Sequence, residues 1–196
     1  MASSVAHDIT TRALRRSDWP LVEALFGANG ACGGCWCMWW RVPMGGKTWE
    51  AAKGANNRAA FKQLVESGRA SGVLAFADGL PVGWCAVGPR ADFPRIERSK
   101  ALVRDWSEGS WSLNCLFVPS HSRGKGVATA LVAAAVGLAR SSGAAEVEAY
   151  PQASRPGERL PGAFVWTGVP SLFEAAGFTP LRKPQSGRTL YLLRLE

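Results

Sequence analysis

A glycine-rich, basic loop between a predicted buried strand and a predicted helix restricts the folds open to this chain of 196 residues. The segment Trp111–Val118 is short and mostly apolar, which is typical of a buried strand. The segment Gly126–Arg140 is rich in alanine and repeats its larger apolar residues at helical spacing. The loop between them contains Arg123–Gly126, in which two basic residues alternate with two glycines. A strand that passes through such a loop into a helix is a building unit of mixed α/β folds.

The loop itself predicts a binding site for an anion such as a phosphate. A helix N-terminus exposes unpaired N–H groups and the positive end of the helix dipole, and glycines let the backbone approach the ligand. The spacing excludes a P-loop, since Pro119 and Gly126 occupy the places of its first glycine and its final hydroxyl residue. It also excludes a dinucleotide fingerprint, because Thr129 stands where a third glycine is needed. The alternative is a turn that only connects the strand to the helix.

The remaining segments predict a mixed α/β sheet with helices on its faces. Val73–Ala77 and Val82–Val87 flank a strong turn signal, Asp78-Gly79, and we expect them to form a hairpin. The other predicted elements are a strand near Ile9–Leu14, helices capped by Ser17 and by Asn56, a strand at Glu146–Tyr150, a short helix at Ser171–Ala176 and a last strand at Thr189–Leu195. We therefore expect residues 1–196 to form one α/β (α+β) domain.

The charge and the cysteine content limit the class of partner and the location. Lys and Arg total 23 and Asp and Glu total 15, a net charge of +8, which favours anionic partners. Because the basic residues are scattered and form no nucleic-acid-binding motif, we expect no nucleic-acid partner. Met1–Thr11 lacks the apolar core of a signal peptide and Gly126–Ala139 is too short to cross a bilayer, so we expect a cytoplasmic protein that binds no membrane. We expect the five cysteines to be reduced thiols.

Around the loop the sequence resembles the GNAT superfamily of acyl-CoA-dependent N-acyltransferases. The signature of that superfamily is Arg or Gln, two residues, Gly, one residue, then Gly or Ala, and Arg123, Gly126 and Ala128 occupy those places. Val118 lies five residues before Arg123, where members of the superfamily usually end the fourth strand with Val. The hairpin before the loop and Glu174–Phe178 after it also follow the order of the superfamily.

The resemblance, which extends over residues 73–195, implies a single GNAT-like domain with a central, splayed mixed sheet flanked by helices. It implies acyl-CoA, most often acetyl-CoA, as the co-substrate, no metal, and a small-molecule amine as the acceptor. The acyl group would pass to the amine by direct attack in a ternary complex, and the chain would be a monomer or a homodimer. The backbone of Leu116–Val118 would pair with the pantetheine arm, and the loop would hold the pyrophosphate. The full set implied to bind the cofactor is Leu116, Phe117, Val118, Arg123, Gly124, Lys125, Gly126, Val127, Ala128, Thr129 and Phe173.

Two places where many members of the superfamily carry catalytic groups differ in this chain. Asn114 stands where the fourth strand often supplies a Glu as base, and Phe173 stands where a Tyr often protonates the departing thiolate. We therefore consider Glu148 as the base, directly or through water, and Tyr150 as the acid or an acceptor contact, since alternate residues of a strand share one face. Asn114 would hold a water or the acceptor amine. The alternatives are a solvated strand face for Glu148 and Tyr150, and a core amide for Asn114.

The segment 31–46 is rich in cysteine, glycine and tryptophan and, in the arrangement of the superfamily, borders the acceptor pocket. Its aromatic and basic residues would form a wall for an aromatic or cationic acceptor: Trp36, Trp39, Trp40 and Arg41. The alternative is that the tryptophans pack in the core. Two further interpretations concern Cys32, Cys35 and Cys37: a metal site, which needs a fourth ligand, and a reactive thiol, which needs a partner group.

Three functions are therefore compatible with the sequence. The first is an N-acetyltransferase that acts on a small amine. The second is a non-catalytic acyl-CoA-binding or regulatory protein, which the residues at Asn114 and Phe173 favour. The third is a cysteine-based metal or redox protein. The arginines from Arg90 to Arg104 are interpreted either as contacts to CoA phosphates or an acidic acceptor, or as a solvated loop.

Overall fold

The computed structural model of this chain describes residues 8–43, 45–153, 165–182 and 187–196. Nine strands lie in these residues: β1 (Thr10–Ala13), β2 (Gly72–Ala77), β3 (Leu80–Pro89), β4 (Ser110–Phe117), β5 (Glu146–Ala149), β6 (Gln152–Ala153), β7 (Thr179–Pro180), β8 (Gly187–Arg188) and β9 (Tyr191–Arg194). Five α-helices accompany them: α1 (Trp19–Phe26), α2 (Lys47–Ala52), α3 (Ala55–Glu66), α4 (Val127–Ser141) and α5 (Pro170–Glu174).

Seven strands form one mixed sheet in the order β1-β2-β3-β4-β5-β9-β7. Neighbouring strands run antiparallel except β4 and β5, which are parallel. The short strands β6 and β8 pair separately. This sheet, with helices on both faces, confirms the predicted α/β class, and its first strand lies within the segment predicted near Ile9–Leu14.

The two faces of the sheet carry different layers. Helix α4 packs across β1, β2 and β3 on one face, and its Val127 and Leu131 belong to that core. Gly83 on β3 allows this close approach, because a Cβ there would lie 2.7 Å from Val127 Cγ1 and 2.9 Å from Leu131 Cδ1. On the other face, α1, α3 and the tryptophan-rich segment 31–42 form a second core around Trp84 and Phe61.

A bulge in β4 marks the point at which β4 and β5 separate. Cys115 pairs with Ala86 and Leu113 pairs with Val87, so Asn114 is an extra residue in the ladder. A bulge interrupts pairing and bends its strand. The pairing of β4 with β5 accordingly covers only Ser110–Leu113 and ends where the bulge begins. The two strands splay beyond that point, as the resemblance implied.

The beginnings of two helices differ from the prediction. Helix α1 begins after Asp18 rather than after Ser17, because Ser17 lies in a 3-10 turn, Arg16–Asp18. The Asp18 carboxylate holds that turn, since it accepts hydrogen bonds from the backbone N–H of Arg15 (2.7 Å) and from Arg12 Nη2 (2.9 Å). Helix α3 begins after Gly54, whose φ is +77°, and Asn56 lies inside it. Helix α2 was not predicted. No helix in the described part of the chain is long and apolar enough to cross a membrane.

Candidate active site

Three adjoining cavities follow the end of β4. The loop cleft, about 260 Å³, lies at the start of α4 and is lined by Val118, Ser122–Gly124 and Gly126–Thr129. The middle cleft, about 310 Å³, lies between the end of β4 and residues 165–172. The aromatic cavity, about 360 Å³, lies under the segment 31–39. Neighbouring cavities share wall residues, so the three form a continuous path along the strand.

The loop cleft has the geometry of an anion site. Gly124 and Gly126 have φ values of +72° and +80°, a region that side chains rarely adopt, and a Cβ at either would meet nothing within 4 Å. Gly126 directly precedes the 15-residue helix α4, whose first N–H groups have no partner within the helix. Arg123 is anchored because its Nε donates to the Val118 carbonyl over 2.9 Å. The structure therefore brings the predicted phosphate-binding residues together, except Lys125, which lines a separate surface cleft beside β2 and β3.

Leu116, Phe117 and Val118, which are predicted to pair with the pantetheine arm, lie along one wall of the middle cleft. Two of their backbone groups already have partners, which the resemblance did not imply. The Leu116 N–H donates to the carbonyl of Trp166 over 2.7 Å, and the Val118 carbonyl accepts the Arg123 bond. A pantetheine arm that accepts a hydrogen bond from the Leu116 N–H must therefore displace the Trp166 carbonyl.

Phe173 does not lie on the wall of the middle cleft. Its side chain is fully buried and packs against Phe178, with ring centroids 5.4 Å apart. The neighbouring Leu172 lines the cleft instead. This helical position points into the core of the sheet, and contact between Phe173 and the cofactor stays a prediction.

The aromatic cavity combines flat rings with thiols. Its rings come from Phe26, Trp39, Trp49, Phe117 and Trp166, and its thiols come from Cys32, Cys35, Cys37 and Cys115. Lys53 is the one charged residue among the described residues that line it. The cavity suits an apolar or aromatic group, which stacks on indole rings.

The four residues predicted to form an acceptor wall separate in the structure. Trp39 is partly exposed, and the guanidinium of Arg95 lies 3.4 Å from its ring centroid. Trp36 and Trp40 are 3% and 5% exposed and belong to two different cores, so the core-packing interpretation holds for them. Arg41 stacks over the Phe93 ring, and burial lowers the pKa of its guanidinium.

The carboxylate considered as a base lies in a buried ion cluster rather than on a solvated strand face. Glu148 is fully buried, and its Oε2 accepts from Arg90 Nε (2.9 Å) and from the Tyr150 hydroxyl (2.5 Å). Its Oε1 accepts from Arg104 Nε over 2.5 Å, and Arg104 also pairs with Glu146. Two arginines of the segment interpreted as a solvated loop therefore hold Glu148. The side chain lines none of the three cavities.

A hydrogen-bond chain leads from this cluster towards the bulge. Asn114 Nδ2 donates to Ser112 Oγ (3.2 Å), and Ser112 Oγ donates to the Tyr150 hydroxyl (3.1 Å). Burial first, and the Glu148 charge second, raise the pKa of Tyr150 well above its ordinary value, so the hydroxyl stays protonated. Trp40 covers the chain and donates its indole N–H to the Asn114 carbonyl over 2.9 Å. Asn114 is thus a buried, bonded amide at the bulge.

Several residues of the cavities were missed by the sequence analysis. Trp166 and Trp49 come from segments without a periodic pattern, and Cys115 was treated only as part of a buried strand. Cys37 also has a partner that its sequence neighbourhood did not reveal, since the indole N–H of Trp84 on β3 donates to Cys37 Sγ over 3.2 Å. In the described residues, no three His, Cys, Asp or Glu side chains are arranged to hold a metal ion.

Solved structures of several N-acetyltransferases share this fold. An aminoglycoside N-acetyltransferase superposes with a TM-score of 0.58 at 17% identity, covering 95% of this chain and 96% of its own. An N-acetyltransferase from Staphylococcus aureus gives 0.56 at 14% identity, covering 96% and 99%. The PaiA N-acetyltransferase from Thermoplasma acidophilum, solved in complex with coenzyme A, gives 0.55 at 13% identity, covering 96% and 99%. No protein of curated function matches the chain significantly.

The family assignment follows from the sequence itself. The model of the acetyltransferase (GNAT) family matches residues 37–157, more than half of the chain. This range begins in the tryptophan-rich segment and includes the bulged strand, the glycine loop and helix α4. The chain belongs to the GNAT acetyltransferase family.

Proposed function

We propose that this protein transfers an acyl group, most often acetyl, from acyl-CoA to the amine of a small molecule. The continuous path of three cavities carries the proposal. The loop cleft fits the pyrophosphate, the middle cleft fits the pantetheine arm, and the aromatic cavity fits the acyl group and the acceptor. The PaiA neighbour with bound coenzyme A supports the choice of cofactor.

The electrostatics of the path agree with this order. The cofactor end offers the N-terminus of α4, Arg123 and two glycines whose surroundings are open, all of which favour an anion. The acceptor end offers indole rings and thiols, with Lys53 and the Arg95 guanidinium nearby. Because Lys53 pairs with Glu50, the rings and thiols dominate the wall. The cavity therefore favours an acceptor with an aromatic or apolar body.

The reaction proposed is direct attack of the amine on the thioester in a ternary complex. The thioester would lie beside Leu116 and Phe117, which both the middle cleft and the aromatic cavity share. Attack requires the amine to lose a proton, and CoA leaves as a thiolate, a good leaving group. Since Glu148 lines no cavity, we propose that it accepts the proton only through water, Ser112 and Tyr150, along the buried hydrogen-bond chain. Tyr150→Phe breaks this chain and is expected to lower kcat more than it raises KM.

Calorimetry with acetyl-CoA tests the cofactor site. Gly126→Glu places a carboxylate in the loop cleft and should abolish micromolar binding. Gly143→Glu is a matched control, because Gly143 lies beyond the other end of α4 with φ +79° and nothing within 4 Å of an added Cβ. Binding that survives in Gly126→Glu, or is equally lost in Gly143→Glu, contradicts the assigned site.

A screen of amines then separates the proposal from the second candidate function, a non-catalytic acyl-CoA-binding protein. The residues at Asn114 and Phe173, where many members of the superfamily have Glu and Tyr, favour that candidate. Release of CoA thiol with an aromatic or apolar amine supports catalysis. Tight acetyl-CoA binding without turnover of any amine supports the non-catalytic protein.

A further inference from the structure

A short segment of the chain lies in the gap that opens beside β4 beyond the bulge. This segment, residues 165–168, is called the strap below, and it forms part of the wall of the middle cleft. Strand β5 pairs with β4 only as far as Leu113, so no residue of β5 lies opposite Leu116. The N–H of Leu116 donates instead to the Trp166 carbonyl over 2.7 Å. At Leu116 the strap therefore takes the place of a neighbouring strand.

The strap is a tight turn that is fastened on two sides. The Gly168 N–H donates to the Val165 carbonyl over 2.8 Å and closes the turn, with Gly168 at φ +80°. The Gly168 carbonyl accepts from the N–H of Gln152 on β6 over 2.8 Å. A Cβ at Gly168 would lie 2.5 Å from Phe173 Cε2 and 3.2 Å from Leu116 Cδ1, so the turn packs directly against α5 and β4. The strap thus joins β4 to the β6–β8 pair across the splay.

The side chain of Arg188 on β8 holds the strap in this position. Its guanidinium carbon lies 4.5 Å from the centroid of the Trp166 ring, and the Trp40 ring packs beside Trp166 with centroids 5.7 Å apart. Arg188 Nε also donates to Thr167 Oγ1 over 3.4 Å. Burial lowers the pKa of Arg188, and a cation partly withdrawn from water binds an aromatic ring more strongly. Arg188 is not among the described residues that line the three cavities, so its contacts are with the strap.

We propose that Arg188 is a positioning residue of the acyl-CoA site, which holds the strap closed on Leu116, and that acyl-CoA binds only after the strap releases this N–H. The inference rests on the proposed function, because it concerns the proposed place of the pantetheine arm. The Leu116 N–H has one hydrogen to donate, so the strap and the pantetheine arm compete for it. The measured dissociation constant of acyl-CoA is then that of the open protein divided by the open fraction.

Release of the strap also affects the acceptor end of the path. Trp166 lines both the middle cleft and the aromatic cavity. A cofactor that displaces the strap therefore moves part of the wall of the aromatic cavity. The acceptor amine meets a different cavity in the complex with acyl-CoA than in the free protein.

Hydrogen exchange of the Leu116 amide, measured by NMR on cofactor-free wild type, tests the closed strap without any substitution. We expect this amide to exchange much more slowly than in an unstructured peptide, because exchange requires the bond to the Trp166 carbonyl to open. Exchange at the rate of an unstructured peptide would overturn the proposal.

Arg188→Gln tests the positioning role, because it removes the guanidinium from the Trp166 ring. The open fraction should rise about fivefold, the equivalent of one partly exposed cation–π contact. Calorimetry should therefore show acetyl-CoA bound about fivefold more tightly, and the Leu116 amide should exchange faster by the same factor. Loss of a positive charge, or general damage to the fold, would weaken the binding of an anionic cofactor, so tighter binding has neither cause.

Arg140→Gln is the matched control, since it removes the same charge from an exposed position in the last turn of α4 and should change either value by less than about twofold. Arg188→Lys keeps the charge but not the planar guanidinium, so it should act like Arg188→Gln to a smaller extent and replaces it if that variant does not fold. Acetyl-CoA binding that is unchanged or weaker in folded Arg188→Gln contradicts the strap and leaves the cofactor site standing. No binding in either the wild type or Arg188→Gln contradicts the proposed function, and the strap with it.

Discussion

Arg90 and Glu148 form an ion pair that is almost completely enclosed: Nε and Oε2 lie 2.9 Å apart, and the side chains are 1% and 0% exposed. They join the 3-10 turn after β3 to the centre of β5. Arg104 holds the other carboxylate oxygen. Because both carboxylate oxygens of Glu148 accept hydrogen bonds, from these arginines and from Tyr150, the carboxylate organises the segment between β3 and β4 around the end of the sheet.

Removal of the Glu148 charge should therefore destabilise the fold. Glu148→Gln removes the carboxylate that Arg90 and Arg104 share and leaves each with one remaining ion pair, to Glu97 and to Glu146. Breaking a buried pair costs about 3–5 kcal/mol, and we expect the lower end of that range because these second pairs remain. Urea unfolding should show this loss in the free energy of unfolding. Glu50→Gln is the control, since Glu50 forms an exposed pair with Lys53 and its loss should cost less than about 1 kcal/mol. Equal effects of the two substitutions would contradict a structural role for the Arg90–Glu148 pair.

The sequence predicted the sheet, the hairpin and the loop before α4 because these elements depend on local periodicity and on glycine spacing. It did not predict the ion cluster, since Arg90 and Glu148 are 58 residues apart and nothing in either neighbourhood marks a partner. The arginines from Arg90 to Arg104 lie in a segment that also contains prolines, and this composition was equally consistent with a solvated loop. Contacts between distant segments form only in the folded chain, so the residue pattern within one segment cannot predict them.

The tryptophan-rich segment shows the same limit at the candidate site. Its composition indicated an aromatic surface, but three tryptophans within five residues could not be sorted into wall and core. The chain turns at Trp36 and Cys37, which have positive φ values, and the tryptophans before and after this turn lie in different surroundings. Such values are rare for these residue types, so sequence propensity gave no indication of them.

Substitution of Trp39 and Trp36 should separate binding from stability. Trp39→Ala removes a ring that lines the aromatic cavity and is expected to raise KM for an acceptor amine about tenfold or more, with KM for acetyl-CoA little changed. Trp36→Ala removes a ring that is 3% exposed and should lower the free energy of unfolding by about 3–5 kcal/mol. Steady-state kinetics and urea unfolding of both variants distinguish the two effects. An unchanged acceptor KM in folded Trp39→Ala would remove the aromatic cavity from the acceptor site.

The two tyrosines of the chain, Tyr150 and Tyr191, should ionise late in alkaline solution. Burial and a hydrogen bond to the Glu174 carboxylate (3.0 Å) raise the pKa of Tyr191 to about 12, and the pKa of Tyr150 is also raised. The unfolded chain releases these protons near pH 10, about the ordinary tyrosine pKa. The unfolded state therefore binds fewer protons between about pH 10 and 12, and the tyrosine contribution to stability falls as pH rises through this window.

Tyrosinate absorbance measures this difference directly. Native protein should show almost no tyrosinate at pH 10.5, about half a unit above the ordinary tyrosine pKa, where protein in urea shows a majority. Within this window the free energy of unfolding should fall less steeply with pH in Tyr191→Phe than in the wild type. The difference in slope should be about 1.4 kcal/mol per pH unit, the value for one proton. Titration of both tyrosines near pH 10 in the native protein would show that neither hydroxyl is enclosed as described.

The close contact of Gly83 with α4 links stability to cofactor binding. In Gly83→Ala the new methyl group would overlap Val127 and Leu131, and such overpacking costs about 1–3 kcal/mol unless α4 moves away from the sheet. Val127 is the first residue of α4 and also lines the loop cleft, so any such movement displaces the N–H groups proposed to bind the pyrophosphate. We expect urea unfolding to show the lower stability and calorimetry to show acetyl-CoA binding weakened about tenfold, equivalent to ~1.4 kcal/mol.

Gly137→Ala is the control on the exposed face of the same helix, where an added Cβ meets nothing within 4 Å and should stabilise the helix by about 0.5–1 kcal/mol. Lower stability with unchanged acetyl-CoA affinity in Gly83→Ala would mean that the sheet, rather than α4, absorbs the extra methyl group.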